Sequence, residues 1–198
     1  MATLWLPLTA LNFPTHRAAS FGADIEIRIT HSGVCHSDVH TLKGEWGALK
    51  GCTVAGHEIL GHVTAKGAAV VRFNVGDRVG VGPQAFSCGA CKSCEAGVTT
   101  YCQKGFIGTY NGSLPNGHKS IGGYAHYNRT NQRHVFAIPD SLDGATAAPL
   151  LCAGVTVFTP LKHAGTKPGD KVAIVGCGGL GHIAVKIAKA MGAEVHLH

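Results

Sequence analysis

At 198 residues and 45% hydrophobic content, the chain can bury one good core and part of a second. Charged residues are only 14% and glycines number 28, which excludes a disordered chain and favours a turn-rich, strand-rich body over a helical bundle. The net charge of +6 invites an anionic partner, but no run of five Lys/Arg exists and aromatics are 7%; nucleic-acid binding is set aside and the basic balance reads as a solvated face.

Leu4 to Leu8 is apolar but follows no basic residue and is short for a signal peptide. Residues 24–31 alternate Ile25, Ile27 and Ile29 against Glu26, Arg28 and Thr30, which predicts a half-buried strand. Gly76-Asp77-Arg78 followed by Val79 and Val81 predicts a turn into another strand. Residues 84–104 read as a cysteine-crowded loop, and 107–123, rich in Gly, Asn and Ser, as loop too. Gly144 to Leu161 is uncharged; Pro149, Gly154, Pro160 and its threonines favour a core segment over a membrane span. After the Pro168-Gly169-Asp170 turn, Val172 to Val175 reads as a strand buried on both faces of a parallel sheet. Leu180, Ile183, Ala184, Ile187 and Met191 follow at helical spacing, Gly192 stops the helix, and Glu194 to His198 opens a second strand.

With no leader and no membrane segment, the protein is expected in the cytoplasm, where eight cysteines read as metal ligands before disulfides. Cys88, Cys91, Cys94 and Cys102 have the spacing C-x2-C-x2-C-x7-C. A two-residue gap lets thiolates converge from one tight loop, and four thiolates close a tetrahedral zinc shell, so the expected site is structural. An iron–sulfur cluster of the bacterial ferredoxin type needs a three-residue last gap followed by Pro, which this sequence lacks. Gly176-x-Gly178-x-x-Gly181, between a buried strand and a helix, is the dinucleotide fingerprint in its proper context. Its glycines serve a tight turn, close approach to a pyrophosphate and close helix–strand packing; Gly179 and Leu180 lie at the helix N-terminus that favours phosphate.

Seven segments together resemble the zinc alcohol dehydrogenases of the medium-chain superfamily, most closely the cinnamyl-alcohol-dehydrogenase-like branch. They are GVCHSDVHTLKGEWG (33–47), GHEILGHV (56–63), FNVGDRVGVG (73–82), the cysteine cluster, GGYAHY (122–127), APLLCAGVTVFTPL (148–161) and VGCGGLGHIAVKIAKAMGA (175–193). The resemblance implies a mixed β and α/β fold: a GroES-like, β-rich catalytic domain over 1–160, with a structural zinc lobe at 84–104, then the incomplete start of a Rossmann domain over 161–198. It implies that Cys35, His57 and Cys152 bind a catalytic zinc, making two zinc ions per chain. Glu58 would be a near-metal carboxylate, Asp38 the acceptor of the His57 ring N–H, Ser37 the partner of the substrate hydroxyl, and His40 the end of a proton relay. Trp46 would line the substrate pocket. His36, His62 and His182 are given no role, and Cys52 and Cys177 are expected to be buried small hydrophobes.

The implied activity is interconversion of primary aromatic or aliphatic alcohols and their aldehydes. NADP(H) is favoured over NAD(H) by the branch alone, because the discriminating position falls about 20 residues past the glycine loop, beyond His198. A homodimer is common in the family. Residues 1–12 depart from the family's first strand, and a six-stranded doubly wound domain is only begun here. The chain is therefore expected to be truncated, with a poorly covered tail; the competing expectation is a zinc-binding homologue with weak or no activity.

Overall fold

In the computed structural model, residues 22–198 other than Asn116 are described; the readings placed on Leu4–Leu8 and on residues 1–12 lie outside them. Two compact units divide between Ala148 and Pro149. Both this division and the boundary expected near residue 160 lie within one helical run, Gly144–His163.

The first unit is built on a five-stranded antiparallel sheet in the order β6-β1-β2-β3-β7. Its strands are β1 (Asp24–Ser32), β2 (Ile59–Lys66), β3 (Arg78–Val81), β6 (Tyr127–Asn131) and β7 (Val135–Ala137). The alternation in 24–31 does what a period of two requires. Ile25, Ile27 and Ile29 face one cluster with Ile59, Val63, Val70, Phe73, Val79, Val81 and Val135. Each such side chain contributes about 1.5–3 kcal/mol when fully buried. The β1–β2 register slips at Glu26/Ile27 and again at Ile29/His31, and irregularities of this kind bend a strand and curl its sheet.

The expected loop at 84–104 carries short structure: β4 (Gln84–Phe86), α2 (Lys92–Glu95) and one 3-10 turn, Thr99–Tyr101. β4 pairs with β5 (Ile107–Gly108), so the expected loop at 107–123 opens on a strand. Strands of two and three residues carry too little periodicity to be read from sequence.

Between β6 and β7, His134 is buried at 4% exposure, its Nε2 3.3 Å from the Ser87 hydroxyl. Burial, then the charge of Arg133, depress its pKa from 6.5 to about 4. Between these values the unfolded chain binds a proton that the folded chain does not, so stability falls as pH drops through this window. The expected loss from this one group between pH 7 and pH 5 is about 2 kcal/mol. Urea melts of His134→Gln at both pH values should show a correspondingly smaller fall; an equal fall in the two proteins would refute it.

In the second unit a wide, π-type turn (Leu150–Gly154) leads into α4 (Val155–His163); α3 (Gly144–Pro149) precedes it. Gly144–His163 is long and apolar enough to cross a membrane by length and composition, and only 28% of its most apolar window is buried. The expectation of a core segment is thus not met: α4 contains no buried residue, because α5 covers only part of its surface. β8 (Lys171–Ile174), α5 (Gly179–Ala190) and β9 (Glu194–Leu197) form the expected strand–helix–strand, with β8 and β9 parallel. Ile183, Ala184 and Ala188 are the buried face of α5. β8 is not buried on both faces: among the described residues it has one neighbouring strand, and Val175 just beyond it is 87% exposed. Gly181 packs as the fingerprint requires, since a Cβ there would lie 1.9 Å from the Gly176 carbonyl oxygen.

Candidate metal and active site

Topology brings two distant motifs together. β1 and β2 are antiparallel neighbours, and Ser32 at the end of β1 pairs with Ile59 at the start of β2. The residues just after β1 therefore meet those just before β2. Gly33 N–H donates to the Glu58 carbonyl at 3.0 Å, and Cys35 follows as the N-cap of α1 (His36–Leu42). Asp38, in the first turn of α1, reaches back to accept from the Cys35 N–H at 3.0 Å, as capping carboxylates do.

Asp38 is 2% exposed and accepts four donors. Oδ1 takes the Gly56 N–H and the His57 Nδ1–H, both at 3.0 Å. Oδ2 takes the Cys35 N–H and the Tyr124 hydroxyl, also both at 3.0 Å. Burial by itself would raise the carboxyl's pKa; the His57 bond and charge, with the two backbone N–H groups, outweigh it and hold the carboxyl below its usual range. Assigning the His57 proton to Nδ1 puts the ring's lone pair on Nε2, the tautomer a metal ligand needs. Gly56, at φ +97°, makes the left-handed bend before His57.

Cys35, His57 and Glu58 present a sulfur, a ring nitrogen and a carboxylate oxygen all within 4.8 Å of one another. Glu58 is 3% exposed, and its Oε2 has no hydrogen-bond partner. Gly33 leaves the space for it, since a Cβ there would lie 1.8 Å from that oxygen. Burial, moderated by His57 and reinforced by Asp38, pushes the Glu58 carboxyl up to about 7. An orphaned carboxylate beside a thiol and an imidazole is a donor set that fits a divalent cation. Ser37 Oγ lies 3.5 Å from the Cys35 sulfur. His40 contacts the Glu45 carboxylate and stacks on Trp46 with ring centroids 4.9 Å apart; Trp46 is 65% exposed. Cys152 is buried in the wide turn of the second unit.

The four-cysteine set also converges, with its sulfurs within 4.8 Å of one another. Cys88 and Cys94 sulfurs are 3.9 Å apart. That is far longer than the roughly 2.05 Å of a disulfide and close to the edge of a tetrahedron with 2.3 Å Zn–S bonds. Backbone N–H groups of Cys88 and Gln103 point at the Cys102 and Cys91 sulfurs, each at 3.4 Å. The Gln103 N–H, then that of Cys94, lower the Cys91 thiol to about 6, which favours the ligating thiolate. Cys52 and Cys177, expected to be buried, are exposed. One lies in an irregular loop and the other in the glycine turn after β8.

Tyr110 and Tyr124 were not singled out by sequence. The Tyr110 hydroxyl lies 3.3 Å from His57 Nδ1 and its ring centroid 5.7 Å from the imidazole. Burial first, then the nearby Asp38 charge, push the Tyr124 phenol well above its ordinary range, so it stays a donor. For Tyr124 the signal is GGYAHY, which carries family likeness without a role; Tyr110 lies in no such motif.

Residues 22–140 match the family described as the alcohol dehydrogenase GroES-like domain. The chain belongs to this alcohol dehydrogenase family. Its curled sheet in a mixed α/β chain is the GroES-like fold of that family. It is 50% identical over 173 residues to NADP-dependent alcohol dehydrogenase C 1 of Mycolicibacterium smegmatis, covering 87% of this chain and 50% of that protein. A cinnamyl alcohol dehydrogenase of Sorghum bicolor (SbCAD4) superposes with a TM-score of 0.85 at 42% identity, covering 91% of this chain and 52% of that one. CAD from Helicobacter pylori, solved with NADP(H), superposes with a TM-score of 0.86 at 38% identity, covering 91% and 52%. The chain thus spans about half the length of these relatives.

Proposed function

We propose that this chain carries the zinc-binding catalytic domain of an NADP(H)-linked oxidoreductase that interconverts primary alcohols and aldehydes. The carrying observation is the cluster of Cys35, His57 and orphaned Glu58, with His57 locked by Asp38. Cys35, His57 and Cys152 would hold the catalytic zinc, and Cys88, Cys91, Cys94 and Cys102 would hold a structural one. Support for Cys152 is its burial in a π-type turn, a helix irregularity frequent at functional sites. When bound, zinc supplies Lewis-acid polarisation of the substrate oxygen and NADP(H) supplies the two-electron chemistry. Ser37, beside the Cys35 sulfur, hydrogen-bonds the substrate hydroxyl and relays its proton, accepting it as its own hydroxyl proton moves on toward His40. His40, with a side chain 33% exposed, passes the proton to solvent. Trp46 forms part of the substrate wall. Gly176, Gly178, Gly179, Leu180 and Gly181 cradle the cofactor pyrophosphate at the N-terminus of α5. A Cβ at Gly178 would meet nothing within 4 Å, so its backbone is open to approach.

A relative known as an NADP-dependent alcohol dehydrogenase and a structural neighbour solved with NADP(H) support NADP(H) over NAD(H). The reading extends to a cytoplasmic homodimer acting on small molecules, with residues 161–198 as Rossmann-type structure. The exposed β8 strand favours a second reading, a zinc-binding homologue with weak turnover, because among the described residues the cofactor loop is braced by a two-stranded sheet. Metal analysis and an NADPH-oxidation assay with an aromatic aldehyde test both. Two zinc ions per chain are expected, one of them lost in Cys35→Ser and in Cys152→Ser. A single zinc in the unmodified protein refutes the catalytic site, and turnover below about 1 per second leaves the second reading in force.

A further inference from the structure

The segment Gly122-Gly123-Tyr124 forms a seam along the loop that carries His57. Gly122 N–H donates to the Val54 carbonyl at 2.9 Å, Gly123 N–H to Gly56 at 2.7 Å and Tyr124 N–H to Ala55 at 3.0 Å. The approach is too close for side chains: a Cβ at 122 would lie 2.4 Å from the Ala55 carbonyl oxygen, and one at 123 would lie 2.4 Å from Ser32 Oγ. Three backbone bonds and two bare glycines thus hold Tyr124 where its hydroxyl meets Asp38 Oδ2 at 3.0 Å, with the Gly33 carbonyl at 3.3 Å. Gly56 itself is gripped from both sides, its N–H by Asp38 and its carbonyl by Gly123.

We propose that Tyr124 is a positioning residue for the Cys35–His57 metal site: its hydroxyl is the fourth donor to Asp38 and fixes the carboxylate that orients the His57 ring. This rests on the catalytic-zinc reading above and deepens it. Without that hydroxyl, Oδ2 keeps only the Cys35 N–H, and the carboxylate can rotate away from the imidazole. Partners that orient a ligand histidine typically change metal affinity 10–100-fold when lost.

Cobalt(II) titration of the 198-residue chain with chelator competition tests it, because cobalt–thiolate absorption distinguishes a four-sulfur site from a mixed sulfur–nitrogen one. Tyr124→Phe should weaken the mixed site about 10-fold and leave the four-cysteine site unchanged, which also serves as the folding control. Tyr127→Phe, at an exposed position on β6, should change neither. In Asp38→Ala, adding Tyr124→Phe should weaken the mixed site far less than it does in the parent, since the hydroxyl's shorter bond is to the carboxylate and only the 3.3 Å contact with the Gly33 carbonyl is left. Unchanged affinity in Tyr124→Phe, or full additivity with Asp38→Ala, overturns the proposal. Uptake of only one cobalt by the unmodified chain overturns the catalytic-site reading itself, and this inference with it.

Discussion

Replacing Asp38 with asparagine is expected to lower the melting temperature by about 5–15 °C and to weaken the proposed catalytic metal site about 10–100-fold. Each Asp38 oxygen accepts two donors: Gly56 N–H and His57 Nδ1–H on one, Cys35 N–H and the Tyr124 hydroxyl on the other. An asparagine in either flip presents its NH2 group to two of these donors. A buried donor left without an acceptor costs about 1–3 kcal/mol. The amide escapes the cost of burying a charge, which works the other way. That relief is the smaller effect, because the carboxyl is held below its ordinary pKa in spite of burial. A net loss of about 2–4 kcal/mol follows, at 2–4 °C per kcal/mol for a chain of this size. Thermal melts with metal competition decide the matter; an Asp38→Asn protein that melts with the parent and holds its metal as tightly would refute the network.

Replacing Cys94 with serine is expected to remove one zinc per chain and open the lobe at 84–104 while the five-stranded sheet survives. The lobe has little apolar burial to hold it: α2 contains no buried residue, and the buried side chains of 84–104 are Ala85, Ser87 and Cys102. Its order then depends on the metal cross-link, and structural zinc supplies about 10–16 kcal/mol in small zinc-folded peptides. If only about 3 kcal/mol of that stabilises the lobe against local opening, its loss raises the open population about 100-fold. Trypsin should then cut at exposed Lys92 and Lys104 about 100-fold faster, with the far-ultraviolet spectrum nearly unchanged. Parental zinc content and cleavage rate in Cys94→Ser would show that the lobe is held by something else.

What was legible in the sequence was local. The Ile25/Ile27/Ile29 alternation determined β1 and its buried face, and the Ile183/Ala184 spacing determined the inner face of α5. The four-cysteine set was legible because ligands within 15 residues of one another can only converge locally. Cys35 and His57 were named by family resemblance, since no spacing rule joins residues so far apart in the chain. Exposure is not written in the sequence where it depends on neighbours: Cys52, Cys177, much of β8 and most of the Gly144–His163 helix are left uncovered by the surrounding elements.

By itself, then, the sequence determined strands β1, β3, β8 and β9, the helix after the glycine loop, the cysteine lobe and the family. The tertiary structure alone decided that Asp38 gathers four donors, that Gly33 makes room for Glu58, and that Tyr124 closes on the His57 loop. The physical reason is range. Periodicity and short spacing are written along the chain, whereas a hydroxyl and a carboxylate 86 residues apart meet only because antiparallel pairing and a glycine seam carry them to the same place.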